Sequence, residues 1–220
     1  MDTTQAFINV NGGKVPTLEI LIGMTILMLL PSIIIMMTSF TRIVIILSFL
    51  RNAMGVQQTP PNMVLVGIAL FLSLFIMSPV LDEINTTAYQ PYKEEKISQE
   101  EALQRAEVPI KNFMLKQTEV SSLELFKDFA KKKEVKNPKD LPLTVVIPAF
   151  MTSELKRGFM AGFLLYLPFL LIDIIVSTTL MSMGMMMLPP ATIALPFKLL
   201  LFVTVNGWEL LFSAIVKSFQ

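Results

Sequence analysis

Met183-Gly184-Met185-Met186-Met187-Leu188-Pro189-Pro190 separates two long apolar runs, and its reading decides the fold. Five of the sixteen methionines lie between Met181 and Met187. A lone Met in an apolar helix is usually filler against core or lipid. Three in succession are different, because consecutive residues cannot share one helix face. With Gly184 ending one helix and Pro189-Pro190 opening the next, the stretch predicts a turn between two helices that presents soft, polarizable side chains.

The rest of the chain follows from its charge pattern. Of 220 residues 53% are hydrophobic and 16% charged, which points to a membrane protein. Of 35 charged residues, 23 fall between Asp82 and Leu143, 11 basic and 12 acidic. Ile20 to Thr41 and Asn52 to Leu81 carry none, and only Asp173, Lys198 and Glu209 interrupt Gly158 to Val216. A hydrocarbon layer about 30 Å thick needs about 20 helical residues. The runs lack strict alternation, so a barrel is excluded. The expected fold is all-α: four long, kinked apolar helices over about 18–50, 62–81, 158–183 and 192–216. They form two hairpins, 18–81 and 144–220, around a polar, partly helical insert at 82–143, after a short N-terminal segment at 1–17.

The two hairpin tips echo one another. Met54-Gly55 with Pro60-Pro61 and Met183-Gly184 with Pro189-Pro190 share one nine-residue register, and these are the two Pro-Pro pairs of the sequence. Convergent turn chemistry explains this as well as a true repeat does. If each helix crosses once, both tips lie on one side; Arg51 points to the cytoplasmic side, leaving the insert outside. Within the insert, Ser98 with Glu101 and Ser121 with Glu124 fit capping boxes. The first opens a helix that Pro109 should end or kink. The second opens one with Leu123, Phe126 and Phe129 on a face. Lys131-Lys132-Lys133 through Pro142 reads as a solvated loop.

Composition also excludes functions. A net charge of +1 argues against nucleic acid. Without cysteine or histidine the chain lacks disulfides, thiolate metal sites and the usual catalytic base. No phosphate loop or carboxylate cluster suggests an enzyme, a cofactor or a metal, and Met1-Asp2-Thr3-Thr4 lacks the basic start of a cleavable signal. What stands out instead is a set of compromised spans. Pro31 and Arg42 interrupt the first, Pro168 and Asp173 the third, Pro196 and Lys198 the fourth. Ionisable groups at that depth need a partner or water. Arg42, Asp173 and Glu209 are therefore expected to find polar company in an oligomer rather than in one chain. Snorkelling to an interface serves Arg42 as well; Asp173 is too short for it.

Several of these stretches together resemble the FliP family of flagellar type III export-gate proteins. They are Met37-Thr38-Ser39-Phe40-Thr41-Arg42, Leu50-Arg51-Asn52-Ala53-Met54-Gly55, Gln57-Gln58-Thr59-Pro60-Pro61-Asn62, Ser153-Glu154-Leu155-Lys156, Gly184 to Pro190, and Leu195-Pro196-Phe197-Lys198. The resemblance covers nearly everything outside the insert. Some relatives begin with a cleaved signal, which leaves processing of the N-terminus open. It implies a homopentamer at the bacterial inner membrane, in the flagellar basal body and largely extracytoplasmic. FliQ-type and FliR-type subunits join it, with an FlhB-type protein at its base, and unfolded flagellar proteins pass through its centre. Met185, Met186 and Met187 would form the gate, hinged at Gly184, Pro189 and Pro190. Glu154 and Lys198 would form an ion pair within or between subunits. The homologous subunit of an injectisome is the alternative within the family. A small proton-coupled transporter using Asp173 and Lys198 is the alternative outside it.

Overall fold

The computed structural model describes residues 7–10, 13–56, 59–132, 134–185 and 187–219. Gln57, Gln58, Lys133 and Met186 lie outside the described residues, as does Met1–Thr4. The chain opens with a two-stranded antiparallel hairpin, β1 (Phe7–Val10) and β2 (Gly13–Pro16), in which Phe7 pairs with Pro16. This small departure from an all-helical chain falls within the segment read as an N-terminal extension. Every later element is helical.

The first apolar run is two helices rather than one: α1 (Thr17–Met36) and α2 (Phe40–Met54). The break falls at Met37–Ser39 and not at Pro31, which lies inside α1. Its cause is Thr38, whose hydroxyl donates to the Ile35 carbonyl at 2.9 Å and accepts the Phe40 N–H at 3.4 Å. Such side-chain bonds compete with the helical ladder. α2 is the central element of the molecule. Arg42, Ile43, Ile46, Leu47, Leu50, Ala53 and Met54 recur at helical spacing and are all buried. They meet Leu65, Ala69, Phe169, Phe202 and Leu211 from the surrounding helices.

After the first tip, α3 (Asn62–Ile84) continues through a π-helical stretch at Asn85–Tyr89 into α4 (Gln90–Lys93). The insert is then α5 (Gln99–Gln117) and α6 (Val120–Phe129). Ser98 caps α5 as expected, accepting the Glu101 N–H at 3.2 Å. Pro109 sits inside α5 without ending it. The second box does not form. α6 starts at Val120 instead, because Ser153 Oγ accepts the Glu119 N–H at 2.9 Å. Leu123 and Phe126 pack on the core of Met114, Leu141, Val146 and Phe150, whereas Phe129 is exposed.

α7 (Leu143–Ser182) is one helix of 40 residues, starting fifteen residues before the apolar run at 158 and passing both Pro148 and Pro168. At about 1.5 Å per residue it is about 60 Å long, twice the hydrocarbon thickness of a bilayer. The last apolar run is broken as well. α8 (Pro190–Thr204) and α9 (Gly207–Lys217) meet at 64°, with Asn206 in the left-handed conformation at φ 52°. By length and composition, among the described residues, two helices can cross a membrane, or three if the bent pair counts as one span. Four were expected. The bend at Asn206 divides the last of them.

Close packing of α2 on α7 rests on two glycines one turn apart, Gly158 and Gly162. A Cβ on Gly162 would lie 2.5–2.9 Å from the Phe49 side chain, and one on Gly158 would lie 3.2 Å from Ile45. Small residues four apart let helix backbones approach in this way.

Candidate functional site: a methionine turn braced by two ion pairs

α7 ends in a Schellman motif. The Gly184 N–H donates to the Met181 carbonyl at 3.1 Å and the Met185 N–H to Leu180 at 3.0 Å, with Gly184 at φ 74°. α8 restarts at Pro190, its first turn satisfied by Thr192 N–H to Pro189 O at 3.1 Å. Both ends of the turn are thereby fixed by backbone geometry. Between them Met187 is 98% exposed and Met185 and Met183 are largely exposed; Met186 lies outside the described residues. The turn therefore offers apolar side chains to its surroundings.

Beneath the turn lies the first brace. Lys198, 4% exposed, donates to Asp173 Oδ2 at 2.6 Å and to the Ala53 carbonyl at 3.0 Å. One ammonium thus ties α8 to α7 and caps the last turn of α2, where a cation suits the helix dipole. Gly55, in the left-handed conformation at φ 78°, ends α2 close by. Lys198 lies eight residues into α8, about 12 Å along it, so the two hairpin tips stand at the same end of the molecule. At the first tip Arg51 bonds the Asn62 side chain.

The second brace holds the middle of the bundle. Arg42 engages Glu154 with two prongs, Nε to Oε2 at 3.0 Å and Nη2 to Oε1. Nη2 also donates to Gln117 Oε1 at 3.2 Å, and Nη1 to the Ser218 carbonyl at 3.3 Å and its hydroxyl at 3.1 Å. All five guanidinium N–H groups thus have acceptors. Phe219 lies against the guanidinium face, 3.8 Å from ring centre to Cζ, and its carbonyl accepts from Gln117 Nε2 at 3.1 Å. α2, α5, α7 and the end of α9 are joined in one buried node.

Two expectations are corrected here. Within the chain, Glu154 and Lys198 do not pair with each other: Glu154 is taken by Arg42 and Lys198 by Asp173. Nor does Arg42 wait for an oligomer to supply polar partners, and Asp173 has Lys198 on Oδ2, although its buried Oδ1 has no partner among the described residues. Glu209 alone of that trio stands exposed, at the start of α9. Sequence reasoning missed Gln117, Ser218 and Phe219, since nothing in a polar or terminal residue announces a partner more than 70 positions away. The Gly158-x-x-x-Gly162 spacing was legible and marks the α2–α7 contact.

Known proteins match this sequence over almost its full length. The flagellar biosynthetic protein FliP of Aquifex aeolicus is 53% identical over 211 residues, covering 95% of this chain and 88% of that protein. That of Bacillus subtilis is 50% identical, covering 97% and 99%; that of Pectobacterium carotovorum is 50% identical, covering 95% and 82%. The FliP family model matches residues 23–215, from within α1 to within α9, and includes Arg42, Glu154, Asp173, Lys198 and the methionine turn. The chain belongs to the FliP family.

Proposed function

We propose that this chain is the core subunit of the flagellar type III export gate, and that its methionine turn is the moving seal of the channel. In this reading several copies, five by family resemblance, form a ring with FliQ-type and FliR-type subunits and an FlhB-type protein at its base. The ring stands at the inner membrane in the flagellar basal body, much of it extracytoplasmic. Unfolded flagellar proteins pass through it.

The observation that carries the reading is the turn itself. Met187 is 98% exposed at a tip whose flanking helices are pinned by a Schellman motif, by Pro190 and by Lys198. A soluble monomer gains nothing from such a display. A ring of such tips closes a narrow apolar constriction, which dewets and blocks ions. Each Met has three rotatable bonds and no directional hydrogen bond, so the collar conforms around a chain of any sequence. Gly184, Pro189 and Pro190 bound the segment that moves. The exposed apolar faces of α3 and α7, with Phe71, Phe75, Phe163 and Leu171, supply surface for neighbouring subunits.

The names of the matched relatives favour a flagellum over an injectisome. The transporter reading loses support because Asp173 and Lys198 already neutralise one another. The test is capture of cargo. The chain has no cysteine, so Met187→Cys places a single thiol at the tip. A stalled export substrate carrying a thiol-reactive crosslinker should be trapped there and not at a subunit-facing position such as Phe75→Cys. Equal trapping at both would remove the turn from the export path.

A further inference from the structure

The methionines differ in what they touch. Met54, Met77 and Met114 are buried, and Met54 and Met114 belong to the two apolar cores. Met181, Met183, Met185 and Met187 stand at every second position from the end of α7 into the turn; all four are exposed and contribute to neither core. A Cβ added to Gly184 in their midst would meet nothing within 4 Å. These thioethers thus stand clear of the chain's own packing.

An oxidant turns a thioether polar without breaking the chain. The sulfur lone pair attacks the O–O bond of a hydroperoxide and takes one oxygen, while the hydroxyl proton passes to the departing oxygen. With hydrogen peroxide the products are a sulfoxide and water; sulfur gives up two electrons and the peroxide accepts them. In a core the new polar group disrupts packing. At the turn no core contact is lost, so the fold survives and only the surface changes. That surface is the one the proposed gate uses. A narrow apolar constriction blocks ions by dewetting, and a strong hydrogen-bond acceptor on its side chains removes that property.

We propose that the turn is an oxidation site, at which hydrogen peroxide converts the exposed thioethers to sulfoxides and the polar collar that results conducts ions. The proposal rests on the gate reading for its consequence and on exposure for its chemistry. It also separates methionines that exposure in one chain does not. Met160, 57% exposed on α7, is more open than Met185 at 44%. In the proposed ring neighbouring subunits cover the apolar face of α7, whereas the turn faces the channel. The order of oxidation should therefore invert on assembly.

The first test treats the assembled, detergent-extracted protein with hydrogen peroxide and locates sulfoxide by peptide mass spectrometry. Met185 and Met187 should gain oxygen well before Met160, and Met77 and Met114 last. Oxidation of Met160 as fast as Met185 would overturn the proposal, as would a turn that stays reduced. The second test is conductance of the resting gate in a planar bilayer, which should rise after peroxide. Met185, Met186 and Met187 changed together to Leu cannot take up oxygen, so peroxide should leave that variant at its own untreated conductance. An equal rise in it would place the leak elsewhere and overturn the proposal. The same three residues changed to Ala separate the two readings. If the Ala variant conducts while the native gate, its turn fully oxidised, stays tight, the oxidation proposal fails and the gate reading stands. If neither conducts, the gate reading fails with it.

Discussion

Arg42 and Glu154, 112 positions apart, meet as a two-pronged ion pair with side chains only 3% and 0% exposed. Their pairing sets α2 against α7, and through Gln117, Ser218 and Phe219 it holds the insert and the end of the chain to the same node. Removing one partner leaves a bare buried charge, at a cost of about 3–5 kcal/mol. Arg42→Ala and Glu154→Gln are each expected to lower the melting temperature of the detergent-extracted protein sharply. Arg42→Lys should also fail, because an ammonium cannot reproduce the fork. Arg42→Met with Glu154→Leu removes both charges and should be more stable than either single truncation. A double variant no better than Arg42→Ala would mean that the node contributes more through its hydrogen bonds than through its charges.

Lys198 makes a different prediction, because it serves a side chain and a backbone carbonyl at once. Lys198→Met leaves Asp173 without a partner and the end of α2 uncapped. The expected loss is about 1–3 kcal/mol, with export in a motility assay reduced. Exchanging the pair as Asp173→Lys with Lys198→Asp should recover only part of this, since a carboxylate at position 198 faces the Ala53 carbonyl. Glu154→Lys with Lys198→Glu is expected to recover nothing within one chain. Recovery in that exchange would reveal a contact between subunits.

The α2–α7 contact is set by the absence of a side chain at position 162. Gly162→Ala forces the new methyl against Phe49. Overpacking of this kind costs about 1–3 kcal/mol, and Phe49→Leu in the same chain should relieve most of it. A thermal melt of the two single variants and the double variant checks this by their non-additivity. Strict additivity would place the strain elsewhere.

Gly184 is an instructive contrast. A Cβ there meets nothing within 4 Å, yet φ is 74°. Gly184→Ala is thus penalised by backbone conformation alone, about 1–2 kcal/mol, and Gly184→Asn by less. Assembly should survive both, while export in a swimming assay falls further for Ala than for Asn. An equal effect of Ala and Asn would show that the left-handed conformation is not what the turn requires.

These outcomes follow where sequence legibility was strong and where it was weak. Helix ends written in local chemistry were readable: Ser98 before α5, and Gly184 and Pro190 around the turn. Misreadings came from competition that local patterns do not show. Pro109 was read as a stop or a kink, and α5 runs on through it. Ser121 looked like a cap, but Ser153, from a distant helix, took that role. Thr38 broke a helix that Pro31 did not. The polar residues of the apolar helices were rightly read as needing partners. Which partners they have depends on how α2 lies against α7 and α8, and no spacing along the chain encodes that.

Sealing of a channel by the methionine turn is open to direct test. Changing Met185, Met186 and Met187 together to Ala removes the thioether groups while leaving Gly184, Pro189, Pro190 and both braces in place. The direct measurement is ion conductance of the assembled gate, reconstituted in a planar bilayer and held open by a stalled export substrate. The triple variant is expected to assemble normally but to conduct small ions around the substrate where the native gate stays tight. Conductance equal to that of the native gate, in a variant shown to be assembled and open, would contradict it.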